Sequence, residues 1–403
     1  RLEIEEIIVT GTKRDIGQQD AAIAVSAITE QAFANQNAND PRAIASLVPN
    51  VTLTLQPAFN AVAGGIRGTG SISILVTEDP SVAFLVDDFG LNHVQSQFIE
   101  MFDIEQIEVY RGPQGTLFGK NATGGVISVT TKKPVLDEWS GEFSAMAGQY
   151  DWNEGSINKF KLALNAPIVE GKVAMRIAAI WDKSQGFYTN SKPAGDFPGP
   201  IVLNPAAAWP DDGTSLSNVG DGGDLGGKDV LAAKVKLLFE PNASYSGHLI
   251  FEISKDDSGS PPTVNETDCP GGQLFCLLGF PGIHTPSPNW GGEKWSNPYA
   301  TGESFHCNSV IAICKGHRMD SKGVYFNQTF AIGDNYTLKS ITGYRNHEER
   351  NASTYTGEAF ASLYDASRNT ERDQMQQEFR LTSEYDGPFN FTAGVSYAED
   401  NLN

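Results

Sequence analysis

From residue 139 onward, apolar side chains return at every second position, and nowhere does the chain hold an 18-residue apolar run. A period of two belongs to a β-strand whose faces meet different surroundings, whereas a membrane-spanning helix needs about 20 consecutive apolar residues. In "VLAAKVKLLF", residues 230–239, Lys234 and Lys236 share one face while Ala233, Val235, Leu237 and Phe239 share the other. The pattern recurs in "WSGEFSAMAGQ", "KFKLALN", "KVAMRIAAIW", "GHLIFEIS" and "FNFTAGVSY", and more noisily near 323–332, 336–347 and 373–384, which makes nine candidate strands.

Alternation alone fits a soluble sandwich as well as a membrane barrel, and the connections separate them. The links "PIVEG" (167–171), "EPNAS" (240–244), "GDN" (333–335) and "DGP" (386–388) are short and turn-forming. Those at 186–226, 257–321 and 348–372 are long and rich in Gly, Pro, Asn and Asp. After the first hairpin, short and long alternate, which in an up-and-down meander puts all tight turns at one end and all long loops at the other, as in outer-membrane barrels. The expectation is an antiparallel all-β membrane barrel over 135–403, facing lipid outside and water within. A net charge of -20 excludes nucleic acid as a partner.

All four cysteines, Cys269, Cys276, Cys307 and Cys314, fall in the longest link, as two pairs each with six residues between. Disulfides suit an oxidising outer face, paired most simply Cys269–Cys276 and Cys307–Cys314. A zinc site with His284, His306 and His317 is the rival, but the spacing matches no familiar zinc pattern. Neither a Ser-His-Asp nor a paired-carboxylate spacing stands out, so neither an enzyme nor a resident metal or cofactor is expected.

The first 134 residues lack the alternation. Their densest feature, "YRGPQGTLFGKNATGG" at 110–125, looks like a phosphate loop, yet Gln114 stands where a Walker motif needs its first glycine and Asn121 where it needs a hydroxyl. No G-x-G-x-x-G occurs there or in "GGIRGTGS". Instead "VSAITEQAF", "LVPNVTL", "GGIRGTG", "VAFLVDD" and "DIEQIEVYRGPQGTLFGKNATGGVISVTTKKP" resemble, in order and spacing, the plug domain of TonB-dependent outer-membrane receptors. The resemblance implies an α+β plug over 13–134 inside the barrel lumen, glycines that serve sharp turns between paired strands, and active import of a scarce solute. That solute would be a ferric siderophore, an iron-bearing ligand, or else an oligosaccharide or vitamin; a passive channel or barrel adhesin would account for neither the plug nor the segment before it. Asp88 departs from the family, which usually has glycine there, and this argues against the family's usual turn.

The resemblance also implies a TonB box in residues 1–12, at Ile7, Ile8, Val9, Thr10 and Gly11. There a β-branched run would pair edge-to-edge with the periplasmic protein TonB; an ordinary first strand of the plug is the alternative. Ligand-contact candidates are Phe59, Asn60, His93, Gln95 and Gln97 on the plug, and Trp290, Trp295 and Tyr299 in the long loop. Arg67 and Arg111 need carboxylates if buried. Glu378 is the expected partner and Glu252 the second choice, unless Glu378 pairs with its neighbour Arg380 or a wall lysine. A plug of about 120 residues spans roughly 35 Å, whereas nine strands close to a diameter of only about 18 Å and 22 reach about 44 Å. The chain is therefore expected to be the N-terminal part of a longer one.

Overall fold

A computed structural model describes residues 8–10, 13–14, 16–36, 39–56, 61–71, 73, 75–151, 155–186, 188–189, 224–225, 227–258, 306–307, 314–315, 317–354, 365–387 and 389–403. The N-terminal unit holds β1 (Ile8–Val9), β2 (Ile16–Gly17), β3 (Val25–Thr29), α1 (Glu30–Ala34), α2 (Arg42–Leu47), β4 (Val51–Gln56), β5 (Ala61–Ile66), β6 (Thr69–Ser71), β7 (Val82–Val86), β8 (Phe89–Leu91), β9 (Ile104–Arg111), α3 (Gly115–Phe118) and β10 (Gly125–Thr131). Thr29 caps α1 by accepting from the Ala32 amide, which is how the chain leaves β3 for a helix. Five of the strands form one sheet in the order β3-β9-β10-β7-β8. The glycine-rich stretch is the connection between the antiparallel pair β9 and β10, with Gly125 opposite Arg111.

Asp88 does not abolish the turn it occupies. Val86 pairs with Phe89, so Asp87 and Asp88 form a two-residue hairpin with φ of 50° and 70°. Aspartate tolerates the left-handed region better than most residues. The Asp87 carboxylate also accepts from the Thr131 amide (2.8 Å) and hydroxyl (2.6 Å), tying the hairpin to β10.

The rest is one nine-stranded antiparallel sheet made of β11 (Ser140–Gln149), β12 (Ser156–Val169), β13 (Val173–Ser184), β16 (Lys228–Asn242), β17 (Tyr245–Asp256), β20 (His317–Ile332), β21 (Tyr336–Thr354), β22 (Asp365–Ser383) and β23 (Thr392–Leu402), each paired with its neighbour in that order. Two-residue ribbons lie in the long links: β14 (Tyr188–Thr189) pairs with β15 (Asp224–Leu225), and β18 (His306–Cys307) with β19 (Cys314–Lys315). The nine expected strands are all present, but β20, β21 and β22 run longer at the loop end than alternation shows. Residues such as Glu348, Glu349 and Arg350 keep the pairing without the apolar face, because a strand that rises beyond the hydrocarbon has no reason to alternate.

Burial on β13 alternates strictly, with Ala174, Arg176, Ala178, Ile180 and Asp182 on the lumen face and Trp181 outside. At the short-turn end the outer face carries a belt of rings, including Phe239–Tyr245, Tyr245–Phe330 and Tyr336–Tyr385 at centroid distances of 6.1, 5.0 and 5.5 Å. Such belts mark a membrane interface. The plug's main core reaches into the wall: Ile250 of β17 and Tyr325 of β20 join Phe84, Phe89, Ile107 and Ile127.

Candidate functional site

The chemistry-bearing residues gather where the plug meets the wall. Asp103, with φ of 54°, turns the chain into β9 and is 3 % exposed at its side chain. Its carboxylate accepts from Arg176 of β13 (Nε at 3.1 and 3.0 Å, and Nη2) and from Lys236 Nζ of β16 at 3.1 Å. Burial alone would raise the Asp103 pKa, but the Arg176 hydrogen bonds and the Lys236 charge outweigh it and hold the carboxyl below the usual 3.8. Lys236 also donates to the Lys132 carbonyl at 2.6 Å, and Asn165 of β12 grips the Val135 amide and carbonyl and the Glu138 carbonyl. These bonds fix the chain where the plug passes into the first wall strand.

Nearer the loop end, Lys228 Nζ lies 2.6 Å from Glu100 of the plug and 3.1 Å from Asp182 of β13. Burial pushes the Glu100 carboxyl upward, with Asp182 and Asp256 adding to the shift and Lys228 opposing it. Neutral contacts complete the seat. Gln376 accepts from the Gly90 amide (3.0 Å) and donates to the Asp88 carbonyl (3.1 Å), and Asn327 donates to the Asp87 carbonyl (2.9 Å).

This polarity corrects the sequence expectation. Arg67 lies outside the plug strands, in the exposed turn between β5 and β6, and Arg111 is half-buried at the end of β9. Glu378 pairs with Arg380 on its own strand, and Glu252 with Lys234 (3.2 Å) and Arg345 (3.6 Å), so neither meets Arg67 or Arg111. A carboxylate two residues from an arginine on the same strand face reaches it without crossing the lumen, and the nearer partner wins. Among the described residues the Lys and Arg ion pairs between plug and wall run instead from wall cations to plug carboxylates, and His93 of the plug beside Asp400 of the wall is the one contact of the opposite sense. Lys234 and Lys236 signal the lumen face in the sequence, but nothing there marks Asp103 as the shared partner of Lys236 and Arg176, or Glu100 as the partner of Lys228.

Three plug candidates for ligand contact, Gln97, His93 and Gln95, are buried. Gln97 donates to the carbonyls of Val82 (3.4 Å) and Leu91 (3.1 Å), His93 Nε2 lies 3.3 Å from Asp400 of β23, and Gln95 is 4 % exposed. Gln97 thereby satisfies plug carbonyls that burial would otherwise leave unpaired, and His93 faces the wall. Phe59, Asn60, Trp290, Trp295 and Tyr299 lie outside the described residues, as do Ile7, Gly11, Cys269 and Cys276. Cys307 and Cys314 are register partners across the β18–β19 ribbon.

At the other end, β1 is folded back on the plug. Ile8 pairs with Gly17 and Val9 with Ile16, and Val9 is buried among Val25, Leu85, Tyr110 and Val126. Glu108 of β9 accepts from the Thr10 amide (3.0 Å) and hydroxyl (2.9 Å), while Gln106 donates to the Ile8 carbonyl (2.8 Å). The Tyr110 hydroxyl also donates to Glu108, and burial followed by the nearby carboxylate drives its pKa far up.

The sequence profile of the family described as "TonB-dependent Receptor Plug Domain" matches residues 17–126. The chain thus carries a plug domain of the TonB-dependent receptor type over those residues. It is 30% identical to the pesticin receptor of Yersinia pestis over 134 residues, 32% of this chain and 19% of that protein. It is 27% identical to a probable TonB-dependent siderophore receptor, PirA, of Acinetobacter baumannii over 197 residues, 46% of this chain and 26% of that protein. Among solved structures, the ferric yersiniabactin uptake receptor FyuA of Y. pestis superposes with a TM-score of 0.66 at 15% identity, covering 94% of this chain and 49% of that one. The chain thus spans about half the length of that receptor, and its fold is a plug with part of an outer-membrane β-barrel.

Proposed function

We propose that this chain supplies the gate and part of the wall of an active importer of ferric siderophores. The observation that carries the reading is a plug fastened to a membrane wall by ion pairs and hydrogen bonds while its N-terminal ribbon is held by few bonds. Relatives named as a ferrioxamine B receptor of Salmonella typhimurium and a siderophore receptor of A. baumannii support the solute class. The edges of β11 and β23 are unpaired among the described residues, and a lipid-facing wall needs further strands to pair them.

In this reading Ile8–Val9, with Ile7, Thr10 and Gly11 beside them, is the TonB box. It leaves β2, pairs as an added strand with TonB, and transmits energy to a membrane that has no nucleotide of its own. Val9→Pro removes an amide donor and fixes φ, so iron-chelate uptake falls to background while chelate binding to cells persists. Uptake at the wild-type rate in that variant would refute the box. Growth of a receptor-deleted strain on a panel of iron chelates, vitamins and oligosaccharides, restored by the full receptor gene, tests the solute class.

A further inference from the structure

One plug carboxylate sits against two wall cations at the foot of the lumen. Arg176 and Lys236 have side chains 9 % and 0 % exposed, and among the described residues Asp103 is the one carboxylate within ion-pair distance of either. Lys236 cannot reach bulk water to shed its dependence on a counter-charge. Any plug movement that withdraws Asp103 therefore strands a guanidinium and an ammonium in a desolvated place, which is strongly unfavourable unless another anion arrives. The geometry suits a carboxylate in particular, because a planar guanidinium beside a point-charge ammonium can hold both oxygens of one carboxyl group. Space for an arriving group exists on either side: one cavity is lined by Met101, Phe102, Asp103 and Lys161, another by Lys133 and Arg176, and both share Lys132 and Glu142.

We propose that Arg176 and Lys236 form a carboxylate-binding station on the lumen wall, occupied at rest by Asp103 and taken over by a carboxylate of an anionic cargo when the plug shifts. The station deepens the importer reading and rests on it: the cargo is an acidic chelate, and its own charge lowers the cost of moving the plug. Asp103 is a surrogate for that cargo, held by a left-handed backbone that presents it to the wall. The exchange is of non-covalent partners alone, one carboxylate for another, with no proton or bond transferred.

The site can be tested by chemical rescue in the full receptor. Asp103→Gly removes the carboxylate and suits a φ of 54°, so the variant keeps its turn. In chloride its plug should melt several degrees below wild type; acetate at equal ionic strength should restore it, and adding Lys236→Gln should abolish the rescue. Equal acetate responses in all three proteins would overturn the station. Its place on the route is tested in planar bilayers with the plug displaced by denaturant, where Arg176→Gln with Lys236→Gln should shift the reversal potential in a KCl gradient toward cation selectivity. An unchanged reversal potential would overturn it too. Neither measurement uses TonB or an iron chelate, so a failed station and a failed importer reading remain distinguishable.

Discussion

Replacing Glu108 with alanine should free the N-terminal ribbon, and the size of the effect can be worked from its bonds. The carboxylate accepts two hydrogen bonds from Thr10, at 3.0 and 2.9 Å. Hydrogen bonds to a charged group contribute about 1.5 kcal/mol each at the low end of the measured range, so their loss removes about 3 kcal/mol. At 1.4 kcal/mol per factor of ten, the open fraction rises roughly a hundredfold. Thr10→Val removes the hydroxyl bond and leaves the amide bond, so about a tenfold rise is expected. Val9 is fully buried when the ribbon is docked, which makes a Val9→Cys background a reporter: its thiol reacts with maleimide only through the open state, and the labelling rate at residue 9, read by peptide mass spectrometry, follows the open population. The expected order is Glu108→Ala, then Thr10→Val, then the parent, about a decade apart. Equal rates in parent and Glu108→Ala would show that the apolar burial of Val9, not the carboxylate, holds the ribbon, and the reasoning would fail.

Four further outcomes follow from the geometry. A Cβ on Gly343 of β21 would lie 2.4 Å from the Phe89 ring of the plug, so Gly343→Val should cost about 1–3 kcal/mol, seen as a lower plug melting temperature in calorimetry with the barrel transition unchanged. Asp88→Gly relieves a φ of 70° but takes the 3.8 Å carboxylate from Lys13, whose side chain is 6 % exposed, so in the same assay it should melt at or slightly below wild type, whereas Asp88→Val, which keeps the strain and loses the charge, should melt lower still. The lowered pKa of Asp103 means that its contribution to plug stability is present above pH 3.8 and is lost as pH falls through its folded-state value; Asp103→Asn should flatten that acid limb in a pH series of plug melting. Non-reducing peptide mapping should recover Cys307 joined to Cys314, and four free thiols or bound zinc would contradict it.

The wall was readable because its strands separate lipid from water, and that contrast writes itself into every second residue. Where it fades, so did the reading: Asp365–Arg372 pair in β22 as firmly as the apolar stretch below them, but outside the hydrocarbon nothing sorts one face from the other. Lys234 and Lys236 could be placed on the lumen face by alternation alone. Glu252 faces Lys234 directly across the β16–β17 hairpin, but the partner of Lys236 could not be placed, because Asp103 reaches it from a segment far away in sequence, which no local period encodes. The plug arginines misled for a related reason. A guanidinium within an apolar motif signals a need for a counter-charge without saying on which side of the interface it lies, and Glu378 was already satisfied by Arg380.

The plug's two ends are fastened very differently, and a pull would feel the difference. Load applied at Ile8 meets a ribbon only two residues wide, whose rungs open one after another as a seam peels. Next in line is β3, an edge of the five-stranded sheet, while β10 lies at its centre between β9 and β7 and runs on into the clamped stretch by Lys236 and Asn165. The order of yielding is thus set by position in the sheet: the leading end gives at low tension, and the trailing end stays moored to the wall as a tether along which the rest can rewind.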